Sequence, residues 1–157
     1  MNTLTIEVSY EEQSFEQEAP QQWVQSTMQD IWALVGSESA EIGISFISDD
    51  AMQTLNRTYR NIDEPTDVLS FASEGEDEQE FWPGEEAASY LGDIAISLDA
   101  LKRNAQSFNV ETEEELLRLL IHGTLHLLGH DHQTNDSDEP MLISQEALLA
   151  QLRGAQR

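Results

Sequence analysis

Apolar and polar residues along the chain follow two different periods. "LTIEVSY" (4–10) alternates apolar and polar positions as a half-buried strand requires, and "EIGISFIS" (41–48), "DVLSFA" (67–72) and "LGDIAIS" (91–97) read as further strands. Between them the spacing changes. Pro20 opens a segment in which Trp23, Met28, Ile31 and Leu34 recur at helical spacing until Gly36 ends it. Ser48 or Asp49 can cap a helix carrying Met52, Leu55 and Tyr59, and another helix is predicted from about Leu98 to Phe108. From Thr112, "TEEELLRLLIHGTLHLLG" begins like a capping box, with Glu115 three residues on, carries a wide apolar stripe and ends at Gly129. Pro140 starts a last helix through Leu152.

This alternation of strands and helices runs without repeats or low-complexity linkers, and 157 residues suit one domain spanning 1–157. Such a chain buries roughly two-thirds of the surface its unfolded form exposes, enough for a core of its own. The absence of cysteine excludes disulfides and thiolate ligands, so a metal must be held by imidazole, carboxylate or backbone groups; a reducing cytosol suits this composition. Neither a signal-peptide pattern at "MNTLTIEVSY" nor an apolar run of about 18 residues is found, so the expectation is a cytoplasmic protein with no membrane partner.

Thirty-one acidic residues against 7 basic ones give a formal charge of −24. That balance disfavours any broad attraction to a phosphate backbone, so nucleic acid, if bound, must be held locally. The acids bunch at 74–86, 111–115 and 136–139, as solvated surface, a docking site or the mark of a salt-adapted source. The first of these runs includes Phe81, Trp82 and Pro83 in a predicted surface loop.

All four histidines fall within "HGTLHLLGHDH" (122–132). His122 and His126 are four apart on one helical face, roughly 6 Å from one another, so both imidazoles can reach one cation. A turn at Gly129 can swing His132 back to the same point. Three imidazoles with no fourth protein ligand leave a coordination position for water, as catalytic zinc sites do; imidazole also serves nickel, copper and iron. Without a metal, two imidazoles on the apolar side of a leucine-rich helix would need other partners for their ring nitrogens. His130, two residues before His132, points elsewhere. The spacing matches H-E-x-x-H-x-x-G-x-x-H, a zinc peptidase pattern, except that Gly123 stands where the peptidase has its glutamate base. Peptide hydrolysis by the usual route lacks its proton acceptor.

The chain resembles the YbeY endoribonucleases, bacterial ribosomal RNA maturation factors, in "HGTLHLLGHDH", in "LNRTYRNIDEPTDVLSF" (55–71) and in "LGDIAIS", in that order. The resemblance implies an α+β fold, with a small mixed sheet, about five helices and a metal site at the C-terminal end of a central helix. Metal binding carries over to His122, His126 and His132, with zinc as the cofactor, and a role in activity carries over to Arg60. It also implies cleavage of single-stranded RNA at the 3′ end of the 16S rRNA precursor, in ribosome quality control. Ribosomal proteins of the small subunit and a ribosome-associated GTPase are the partners implied.

The chemistry of the residues is consistent with those roles. A planar guanidinium beside a divalent cation can clamp the oxygens that gain charge as a phosphodiester is cleaved; alternatively, Arg60 merely pairs with Asp63 or Asp67. Arg57, Lys102 and Arg103 either widen a positive strip or are solvated surface, and Thr66 and Asp67 are expected at the cleft mouth. Asp131 and Asp93 are candidates to accept the second N–H of a ligating imidazole, or are turn residues. Activated water and the substrate's own 2′-hydroxyl are both open as nucleophile. Two other functions share the metal: a non-catalytic ribosome-assembly adaptor, whose metal only pins the last helix to the turn, and a divergent metallopeptidase drawing its base from Asp131 or a loop glutamate.

Overall fold

A computed structural model of the chain describes residues 3–73, 89–132, 136 and 138–155. The acidic run at 74–86, with Phe81, Trp82 and Pro83, lies outside them. Among the described residues four strands form where the period is two: β1 (Leu4–Tyr10), β2 (Ala40–Ile47), β3 (Val68–Ala72) and β4 (Ser89–Ser97). Six helices accompany them among the described residues: α1 (Phe15–Glu18), α2 (Gln21–Val35), α3 (Asp49–Arg60), α4 (Leu98–Phe108), α5 (Thr112–Leu127) and α6 (Pro140–Ala155). The sheet order is β1-β2-β4-β3, parallel across β1, β2 and β4 and antiparallel between β3 and β4. The fold is therefore α+β with a small mixed sheet.

Alternation decides which face each strand buries. Ala40, Ile42, Ile44 and Phe46 of β2 are buried, as are Ile94 and Ile96 of β4, and the register sets Ile44 beside Ile94 and Phe46 beside Ile96. Leu116, Leu117, Leu120, Ile121 and Leu125 of α5 join the same cluster, as do Met28, Ile31 and Trp32 of α2. The Trp32 indole N–H, otherwise stranded in this core, donates to the Glu38 carbonyl at 3.0 Å. A second, smaller cluster on the other sheet face packs Met52 of α3 against Leu69 and Ala95.

α5 lies against β4 because position 123 is glycine. A Cβ there would stand 2.9 Å from side-chain carbons of Ile94, so the site that a peptidase fills with glutamate faces the sheet.

Ser48 caps α3 as its sequence predicts, its hydroxyl accepting from the Ala51 N–H at 3.2 Å. The predicted capping box of α5 does not form. Glu111 occupies the cap position, without a side-chain bond, and Thr112 is already helical. Glu115 is buried and its carboxylate is taken by Arg118 at 2.6 Å, so it cannot reach back to the helix start. The four-residue α1, too short to show a period, was not expected.

Candidate metal centre

The C-terminus of α5 forms the site. Leu128 caps the helix, Gly129 adopts φ +99°, its N–H bonds to the His126 carbonyl, and the His130 N–H reaches the Leu125 carbonyl. This Schellman turn reverses the chain and satisfies the last carbonyls. Asp131 then accepts the backbone N–H of His132 at 2.8 Å. The result brings His132 back to His122 and His126: ring centroids are 4.7, 5.3 and 5.5 Å apart, and one ligand atom from each lies within 4.8 Å of the others. The Nε2 atoms of His122 and His126 are 3.1 Å apart. Two nitrogens bound tetrahedrally to one zinc at about 2.0–2.1 Å stand roughly 3.3 Å apart. The donor set therefore fits a zinc ion or another imidazole-seeking divalent metal. His130 is exposed and outside the cluster.

Protonation favours ligation. Burial, reinforced by the neighbouring imidazoles, holds His122 and His126 below the usual histidine range. Both rings are thereby kept in the neutral form that a metal needs. His122 has a further support that the sequence reading missed. Its Nδ1 lies 2.6 Å from Oε1 of Gln145 on α6. The Gln145 amide is oriented by Glu146, whose carboxylate accepts from Nε2 at 3.0 Å and is itself held by Arg118 at 2.9 Å. With its N–H₂ turned to that carboxylate, Gln145 presents oxygen to His122, which must then carry its proton on Nδ1 and expose the Nε2 lone pair. A signal was available: Gln145 is a buried amide in the α6 stripe of Met141, Leu149 and Leu152.

A cleft of about 570 Å³ opens over the cluster and is lined by Arg60, Thr66, Asp67 and Asp131 as well as the three histidines. Arg60 is the last residue of α3, just before Asn61 turns left-handed at φ 59°. Among the described residues it forms no ion pair, and its charge helps to lower the His126 pKa. Its expected partners are engaged elsewhere: Asp63 holds Arg57 at 3.2 Å, and Asp67 accepts from Asn104 at 2.8 Å. Among the described residues no positive strip forms, because Lys102 pairs with Glu18 and Arg103 with Asp49. Asp93 is not beside the histidines. Strand alternation turns Ile94 toward α5 and Asp93 to the opposite face, where its side chain is exposed and bonds Tyr90.

The model of the family described as "Endoribonuclease YbeY" matches residues 5–153, which include the arginine segment and the histidine cluster. The chain belongs to the YbeY family. A family relative from Treponema denticola, named Endoribonuclease YbeY, is 47% identical over 113 residues, covering 72% of this chain and 71% of its own. One of the same name from Bacillus subtilis is 42% identical over 113 residues, covering 71% and 72%. A protein of Thermotoga maritima, solved in solution, superposes with a TM-score of 0.59 at 25% identity, covering 98% of this chain and 92% of that one. No helix among the described residues is long and apolar enough to cross a membrane.

Proposed function

We propose that the chain is a single-domain, zinc-dependent endoribonuclease that cuts single-stranded RNA in the cytoplasm, at the 3′ end of the 16S rRNA precursor, and serves ribosome quality control. The observation that carries this reading is the convergence of three imidazoles at a cleft whose one arginine free of an ion pair, among the described residues, is Arg60. Family membership supplies the RNA substrate.

His122, His126 and His132 hold the metal, and Gln145 keeps His122 in the ligating tautomer. When bound, zinc supplies Lewis acidity and lowers the pKa of water at the site toward neutrality. Arg60 sets two N–H groups toward the non-bridging phosphate oxygens and offsets the charge they gain as the bond breaks. The charge of −24 favours delivery of RNA by basic partners, small-subunit ribosomal proteins together with a ribosome-associated GTPase.

The peptidase reading is disfavoured by Gly123, whose missing side chain would point at Ile94. Purified protein should carry about one zinc per chain and cut single-stranded RNA, and His126→Ala should lose both while keeping its circular dichroism spectrum. Full cleavage by a folded, metal-free His126→Ala protein would refute the proposal. Unfolding on zinc removal, with no RNA turned over by the loaded protein, would favour the adaptor instead.

A further inference from the structure

The cleft has too few cations to hold RNA by its backbone. Of the chain's 7 basic residues, Arg57, Lys102, Arg103, Arg118 and Arg153 each hold a carboxylate. Within the cleft Arg118 is shared among Glu114, Glu115 and Glu146, while Asp67 and Asp131 add negative charge. Backbone-centred binding strengthens with each phosphate neutralised. The one guanidinium that is uncommitted among the described residues, together with a metal, can engage only one or two. The remaining affinity must come from the bases, and a base offers its π face to an aromatic ring whatever its sequence.

Such a ring lines the cleft. Phe108, the last residue of α4, is 62% exposed and has no aromatic partner among the described residues. The backbone that carries it is fixed. Asn109 turns left-handed at φ 55°, its N–H returning to the carbonyls of Ala105 and Gln106, and the Val110 N–H bonds the Ala105 carbonyl at 2.9 Å. One turn earlier on the same helix, Asn104 also lines the cleft. Leu119 and Leu142 line the same cleft, so its wall is not wholly polar.

We propose that Phe108 is a stacking platform for an unpaired base of the substrate strand, while Arg60 takes one phosphate, so that the strand is gripped through its bases. The inference rests on the ribonuclease reading and deepens it. A duplex is rejected because its base faces are already stacked on one another. Salt dependence is shallow: for one or two phosphates on a single strand, log affinity falls against log salt with a slope of about −0.7 to −1.4.

The test uses the full chain, zinc-loaded, with a short single-stranded oligoadenylate. Phe108→Ala should raise KM on the order of 10-fold, the loss of one stacked base, with kcat and zinc content retained. Phe108→Trp should keep the wild-type KM, and its added fluorescence, measured against wild type, should be quenched by the oligonucleotide with or without zinc. An unchanged KM in Phe108→Ala, or fluorescence of Phe108→Trp unmoved at saturating oligonucleotide, overturns the stacking role. Wild-type protein that cuts no RNA while Phe108→Trp is still quenched would sink the catalytic reading alone, and cutting that ignores Phe108→Ala would sink this inference alone.

Discussion

Two sets of groups in the cleft are built on opposite terms. Around the three histidines nearly every polar group is already engaged. His122 leans on Gln145, Gln145 on Glu146, Glu146 on Arg118, and Arg118 on the buried Glu115. No buried side-chain nitrogen or oxygen among the described residues lacks a partner. Arg60, by contrast, is exposed without an ion pair and Phe108 without a ring partner, among the described residues. The contrast separates two demands. A metal site needs its ligands fixed before the ion arrives, because each ring left to rotate weakens affinity. A substrate site needs groups still unsatisfied, because an arginine already neutralised by a carboxylate has little left for a phosphate.

The contrast can be broken from either side. The largest effect is expected among the open groups: Arg60→Glu should lower kcat/KM for single-stranded RNA by roughly 10²–10³-fold while zinc content stays at the wild-type level. A parallel loss of zinc would show that the two sets are not independent. Among the engaged groups, Gln145→Leu should weaken zinc binding about 10–100-fold, read by competition with a chelator, because His122 loses the acceptor that fixes its tautomer. Unaltered zinc affinity would reduce Gln145 to a packing residue.

The smallest effect concerns protons. Burial depresses the pKa values of His122 and His126 in the folded chain, so the unfolded chain takes up these protons first as the solution is acidified. The stability tied to their neutral forms is full above the unfolded value of about 6.5 and is lost as pH falls through the depressed values. Zinc-free wild type should therefore lose Tm relative to zinc-free His126→Ala between about pH 7 and pH 5. A constant difference over that range would contradict the assignment.

The parts of this molecule that were legible in the sequence are those with local causes. Strand alternation, the Ser48 cap, the bounds Leu98–Phe108 of α4 and the turn at Gly129 follow from side-chain spacing or from one residue's backbone preference. The histidine trio belongs with them, because an i,i+4 pair and a glycine turn bring it together. Misreadings arose where a partner outside the motif, or the packing of a whole strand, decided the outcome. Glu115 was drawn from its capping role by Arg118, and Asp93 was turned from the site by the register that sends Ile94 inward. Gln145 reaches His122 from a helix 23 positions further on, which no spacing rule within α5 can report. Arg60 was legible as a residue but not as an available charge, since that depended on Asn104 and Arg57 taking the carboxylates near it.

The bare backbone at position 123 limits what this scaffold can become. An acidic side chain added there would be wedged between helix and sheet, against Ile94, rather than released into solvent above the histidines. Turning such a protein into a protease would take more than restoring one carboxylate. The whole helix would have to lift from the strand beneath it, and the imidazoles it carries would travel with it.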